Sequence, residues 1–370
     1  MNNSSNAPIE STVAPATATN VAPAAESHAV LTVDEIRQIP KVELHRHLDC
    51  SMRFSTLREL AVQLSLGAPM DEKEFRKAML VTEPMIDLGA VLKKFLAAQK
   101  VLASEEILTR LAFEAVEDAA REGIRILELR YAPTFIADGH SHLTFEKIHQ
   151  ALLKGLAKAE TAGLPVATGL ICIIQRISSL DIASRVMQFA IDNHETFIGV
   201  DLADNEVGFD SLPFAPLFRK AKDIGLHVTI HSGEANVPGA AHFVLNAVQH
   251  LGAERIGHGL QIVKDPEVMS EMKRLQIPLE LCPTSNWLTN AIPALNAHPI
   301  RQLMEYGIPV TINTDDPGVF DLDMVHEYEL LQKTYGFTLT DFNRINDTAA
   351  CASFISFEKK QKHWPRPIAQ

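Results

Sequence analysis

The chain is short of cysteine, and its four thiols show no pairing pattern. Cys50, Cys172, Cys282 and Cys351 are widely scattered and no C-x-x-C occurs. This argues against a zinc ribbon or a disulfide scaffold and fits reduced thiols in a cytoplasmic protein. Long hydrophobic runs are also missing. None approaches the roughly 18 residues that a membrane span needs. Positive charge is in deficit, with 34 Lys and Arg against 46 Asp and Glu and a formal net charge of −12. No basic stripe offsets it, which argues against DNA or RNA as a partner. Residues 1–29 hold no Lys or Arg and no continuous apolar stretch, so they lack both hallmarks of a secretory signal. Rich in Ala, Asn, Ser, Thr and Pro, residues 1–30 read as a disordered tail. With 370 residues, 46% of them hydrophobic, the rest (31–363) can bury a large core as one domain. Nothing here implies a membrane or an obligatory protein partner.

What is present is a rhythm. Short apolar or β-branched runs begin at Val42, Ile124, Val166, Ile198, His227, Arg255, Pro278 and Pro309, with helical stretches between them. Several are continuously apolar, as strands buried on both faces should be. Eight strands alternating with helices predict a parallel (β/α)₈ barrel, the TIM barrel. Thr32-Val33-Asp34-Glu35 reads as a capping box before a short helix. Apolar residues at 107, 108, 111, 115, 116 and 119 predict a helix over 105–121, with Gly123 ending it. The first two strands stand about 80 residues apart. The excess, roughly 55–104, should form extra helices over the barrel mouth. There Ile86, Leu88, Val91, Leu92, Phe95 and Leu96 read either as ordinary packing or as a lid that excludes water.

The polar residues of interest fall at strand ends, where barrel enzymes build their sites. His45 and His47 lie two apart, so on a strand they share a face. With His231 and Asp315 they supply three nitrogens and a carboxylate oxygen for one metal ion. Zinc accepts that set, and ligand type alone leaves iron and manganese open. A bound zinc can lower its water's pKa to roughly 7. His258, between Gly257 and Gly259, and Asp316 remain to orient and deprotonate that water. Adjacent strand residues face opposite ways, so Asp315 and Asp316 both turn inward only at an irregular turn, which Pro317-Gly318 signals. Glu234, three residues after His231 and just past Gly233, is a candidate proton donor, since a desolvated Glu can titrate near neutrality.

Taken together, ELHRHLD, DLAD-NE, TIHSGE, RIGHG, LCPTSN and NTDDP, in this order over residues 38–355, resemble the adenosine deaminase family. The resemblance implies one Zn²⁺ per chain on His45, His47, His231 and Asp315. It implies hydrolytic deamination of adenosine, and of 2′-deoxyadenosine, to inosine and ammonia in purine salvage. Glu234 would protonate N1 of the ring, hydroxide would attack C6, and His258 and Asp316 would handle the water. Asp49 would contact a ribose hydroxyl, with Asp204 and Gly233 as further substrate-binding candidates. Two positions depart from the family pattern: Cys50 and Asp204 stand where Gly is usual. The family's Gly offers its N–H to purine N3. Asp204 can do the same, but it adds bulk and charge and is less free to adopt a positive φ. Related deaminases act on adenine, aminodeoxyfutalosine or N6-methyl-AMP, and Asp49 favours a nucleoside. A two-metal hydrolase with a bridging lysine is disfavoured because strand four has no Lys. A nucleic-acid deaminase is disfavoured because H-x-E and P-C-x-x-C are missing. An inactive, partner-binding barrel is disfavoured because the ligand set and Glu234 are intact.

Overall fold

The structure is a computed structural model that describes Met1 and residues 30–368 apart from 68, 70, 86 and 87, and omits the side chains of 88–90 and 92. All but Met1 and Val30 of the expected tail lies outside the described residues, as does Ile86. At the other end the folded unit continues past residue 363, because Trp364 and Ile368 are buried in one cluster with Val42, Leu44 and Ile126.

Eight parallel strands form the barrel: β1 (Lys41–His47), β2 (Ile124–Tyr131), β3 (Ala167–Gln175), β4 (Phe197–Ala203), β5 (His227–Ser232), β6 (Arg255–His258), β7 (Leu279–Leu281) and β8 (Val310–Ile312). They pair in sequence order from β1 to β8. β8 meets β1 through a parallel bridge between Arg46 and Asp315, where His47 N donates to Asp315 O (2.8 Å) and Asp315 N donates to His45 O (3.0 Å). The barrel therefore closes at the proposed ligand residues themselves. A register shift between Glu43 and Arg46 marks a bulge in β1, the kind of irregularity that re-aims side chains beside a site.

The helices form for local reasons that the sequence displays. The Thr32 capping box opens the helix Val33–Gln38. Ser104 caps Glu105–Arg121 through Ile107 N. That helix buries Leu108, Leu111, Ala115, Val116 and Ala119, each Leu contributing roughly 1.5–3 kcal/mol. It ends at Glu122 and Gly123, whose φ is +85°. A Cβ at Gly123 would lie 2.3 Å from Arg37 O, so only glycine fits.

Between β1 and that helix lie Phe54–Gln63, Glu72–Met79 and Leu88–Gln99. They are tied to the short segments that follow strand C-termini: Val81 N donates to Val319 O (2.9 Å), and Gln99 donates to Phe135 O and Asp138 O. The extra helices thus lie on the mouth side, as expected. In the last of them Val91 is buried and Phe95 packs edge-on against Phe320, whereas Leu96 is exposed. No helix among the described residues is long and apolar enough to cross a membrane.

Several strands are continuously apolar, but others carry buried charge. Glu128, Arg130, Asp201, Thr229, Arg255 and Glu280 are buried strand residues with 0–1% exposure. They persist because they pair. Arg130 binds Asp201 and Glu280 at 2.8 and 2.7 Å, and Arg255 binds Glu280 and Glu128, both at 2.6 Å. A buried charge without a partner would be far costlier.

Candidate metal centre and active site

Four ligand groups converge at the strand ends. His45 Nε2 and His47 Nε2 each lie 3.2 Å from Asp315 Oδ1. His47 Nε2 and His231 Nε2 face one another at 3.2 Å. One ligand atom from each of His45, His47, His231 and Asp315 lies within 4.8 Å of the others. His45 Nε2 is buried and has no hydrogen-bond partner, a costly state for a polar atom. A single cation among these atoms would satisfy all four at once, and the donor set is one that zinc accepts.

Two buried carboxylates orient these ligands. Glu280 Oε2 lies 2.7 Å from His45 Nδ1, and Asp201 Oδ2 lies 2.9 Å from His231 Nδ1. Each accepts the Nδ1 proton, which leaves Nε2 free to coordinate. Sequence reading missed Asp201, Glu280 and the arginines between them. The available signal was a charged residue inside an otherwise apolar strand.

The backbone turns sharply where the chemistry sits. Asp315 and His258 have φ of +66° and +64°. The left-handed turn at Asp315 breaks strand alternation, so Asp315 and Asp316 both reach the site. Ser285 Oγ donates to Asp315 Oδ2 (2.6 Å). Gly257 admits the crowding, since a Cβ there would lie 2.9 Å from His45 Cε1.

Electrostatics separates the two aspartates. Burial opposes ionisation of Asp315, but the adjacent imidazoles of His45 and His47 hold it well below the usual carboxylate range. Burial and then the Asp315 charge push Asp316 well above that range, against a hydrogen bond from the Cys50 thiol. Burial works against His47 too, yet Asp316 and Asp315 raise it to about 9. Burial lowers His231 to about 3.

Glu234 Oε1 accepts from Thr289 Oγ1 (2.9 Å), and its Oε2 lies 3.6 Å from His258 Nε2. Its side chain keeps 27% exposure. Burial, and then the charge of Asp315, raise Glu234 to about 7. Asn286 Nδ2 lies 3.1 Å from His258 Nδ1. Thr289 and Asn286 were also missed, because they reach the site from the helix Pro283–Leu288 and its end.

The substrate-side candidates occupy the same rim. β1 ends at His47, and Asp49 lies in a 3₁₀ turn, Leu48–Cys50. It is 5% exposed. Its Oδ2 accepts from Ala132 N (3.1 Å), while its Oδ1 is buried without a partner. Asp204 adopts φ +85° despite its Cβ. Its carboxylate is held by Asn205 N (2.7 Å) and Gln175 Nε2 (3.0 Å). Gly233, at φ +67°, gives its N–H to Glu206 (2.9 Å) and carries the turn into Glu234.

A parallel eightfold barrel with a four-residue metal-binding group at its C-terminal rim defines a metal-dependent enzyme barrel. The family profile of adenosine deaminase matches residues 40–365. The chain is 33% identical to an adenosine deaminase of Pectobacterium atrosepticum over 326 residues, 88% of this chain and 95% of that one. Its fold is similar to the crystal structure of an adenine deaminase from Arthrobacter aurescens (TM-score 0.79, 28% identity, 87% of this chain and 96% of that one). It is also similar to the N6-methyl-AMP deaminase of Arabidopsis thaliana (TM-score 0.77, 29% identity, 90% and 97%). The chain belongs to the adenosine deaminase family and is a hydrolytic deaminase.

Proposed function

We propose that this enzyme deaminates adenosine, and 2′-deoxyadenosine, with one zinc ion per chain on His45, His47, His231 and Asp315. One observation carries the reading: four ligand atoms converge beside a carboxyl, Glu234, that holds its proton up to about pH 7. When bound, zinc brings a water's pKa to roughly 7 and so supplies a nucleophile at neutral pH. Glu234 gives its proton to N1 of the purine, which draws electrons from C6 and opens that carbon to attack. His258 and Asp316 hold the attacking water, and its proton passes to this pair. The pair passes that proton to the amino nitrogen, the C6–N bond breaks and ammonia leaves; the remaining water proton, on the new C6 hydroxyl, returns to Glu234 as the C6 carbonyl of inosine forms and N1 keeps its proton.

Asp49 accepts a hydrogen bond from a ribose hydroxyl. Its buried, unpartnered Oδ1 supports this, because a ligand donor would satisfy it. Asp204 presents its N–H to the base. Its positive φ and the tethering of its carboxylate to Gln175 and Asn205 support that role despite the departure from glycine. Four free cysteines support a cytoplasmic setting.

The second reading is a base or nucleotide substrate, as in the structural neighbours that are adenine and N6-methyl-AMP deaminases. An ultraviolet absorbance assay against adenosine, deoxyadenosine, adenine, AMP and N6-methyl-AMP decides, with elemental analysis of the same sample. The expected result is roughly one zinc per chain and adenosine far ahead of adenine. Equal efficiency on adenine, or preference for either nucleotide, overturns the substrate assignment.

A further inference from the structure

A chain of hydrogen bonds runs from a backbone amide to the imidazole of His258, and its polarity is fixed at the far end. Ile300 N lies 3.1 Å from His298 Nδ1. A backbone N–H can only donate, so His298 Nδ1 accepts. His298 is 3% exposed, and burial lowers its pKa to about 3, so the ring is neutral and carries its proton on Nε2. That Nε2–H lies 3.1 Å from Asn286 Oδ1, which orients the amide. Its NH₂ end therefore faces the other way, 3.1 Å from His258 Nδ1, and also hydrogen bonds the Glu234 carboxyl. The Ile300 N–H can only donate, so it is this end of the chain that selects the amide orientation.

We infer that Asn286 is a positioning residue that fixes the tautomer of His258, so that His258 donates a hydrogen bond to the attacking water and Asp316 takes the water's proton. Its Nδ1 accepts from Asn286 and is unavailable. Its Nε2 therefore carries the ring proton and cannot accept another. The surroundings of Nε2 agree, since carboxyl oxygens that can accept face it: Glu234 Oε2 at 3.6 Å and Asp315 Oδ2 at 4.0 Å. The proton balance is simple. The O–H bond of the water breaks, its proton goes to the Asp316 carboxylate, and His258 keeps its own. This inference rests on the proposed deaminase mechanism and divides the labour within it.

The test is ¹H–¹⁵N correlation spectroscopy of the zinc-loaded enzyme labelled at histidine, with an inert transition-state mimic bound or absent. The expected spectrum shows His258 protonated at Nε2 and bare at Nδ1. A proton on Nδ1, or on both nitrogens, overturns the inference. Asn286→Asp replaces the donor with an acceptor, so the His258 proton should move to Nδ1. kcat should then fall at least tenfold while KM changes less than threefold, because a tautomer swap acts on the chemical step. A swapped tautomer with unchanged kcat overturns the positioning role. Asn286→Ala is the second variant and removes the bias altogether; a wild-type spectrum from it would equally refute control by Asn286. Failure of the wild-type enzyme to deaminate adenosine would strike the substrate reading alone, because the tautomer is measured without turnover.

Discussion

Removing the Asp49 carboxylate separates its two oxygens, which have different jobs. Oδ2 accepts from the buried Ala132 N–H at 3.1 Å, and Oδ1 is left for the ligand. In Asp49→Ala the ribose hydroxyl loses a hydrogen bond to a charged group, worth about 1.5–3 kcal/mol. At about 1.4 kcal/mol per decade, KM for adenosine should rise roughly 10- to 150-fold. The same variant strands Ala132 N–H, at a cost of about 1–3 kcal/mol in stability. For a unit spanning Leu31–Gln370, at roughly 2.1 cal/mol/K of unfolding entropy per residue, each kcal/mol lowers Tm by about 1–2 °C. Asp49→Asn divides these effects. Its amide oxygen can keep the Ala132 bond, so stability should hold. Only a neutral group then faces the hydroxyl, and a neutral bond is worth about 1 kcal/mol less, so KM should rise about fivefold. Steady-state kinetics on adenosine, thermal unfolding and metal content are the three measurements. A KM within twofold of wild type in Asp49→Ala would refute the ribose anchor. So would a metal content that falls with KM, because Asp49 would then be acting on the ligand set.

Three further outcomes follow from the same site. Glu234→Gln should keep the fold and the metal and lose about 10²–10⁴-fold in kcat as a general acid; a loss under threefold rules that role out. Because the Glu234 pKa is raised to about 7, its proton is present below that pH and lost above it, so the acid-catalysed rate should fall on the alkaline side; a flat profile from pH 6 to 9 contradicts this. His231→Ala should lose both metal and activity, since one missing ligand leaves the set incomplete; elemental analysis showing a full metal complement refutes the assignment. His258→Ala and Asp316→Ala should be strongly non-additive, because both act on one water; a double-variant loss equal to the product of the single losses would show that they act independently.

Much of this protein could be read from residue order, because barrel strands are local and repeat. All eight expected runs became strands, within a residue or so of where each apolar run begins. That His45, His47, His231 and Asp315 share one rim was legible because a parallel barrel puts every strand C-terminus on the same face; their convergence within 4.8 Å came from the structure. The helix Glu105–Arg121 and the Thr32 capping box were legible because caps and 3.6-residue periodicity act within a few residues.

Only the tertiary structure decided the rest. Asp201 and Glu280 read as isolated charges in apolar strands. Their purpose depends on His231, 30 residues from Asp201, and on His45, 235 residues from Glu280. The Asn286–His298 link exists because two neighbouring segments fold back on one another beside β6. Backbone direction was equally hidden. Asp49 left the strand for a 3₁₀ turn, and Asp315, His258 and Asp204 took a positive φ that their side chains disfavour. Local propensity argues against such conformations. They hold because surrounding contacts over-determine them, and those contacts come from residues far apart in the chain.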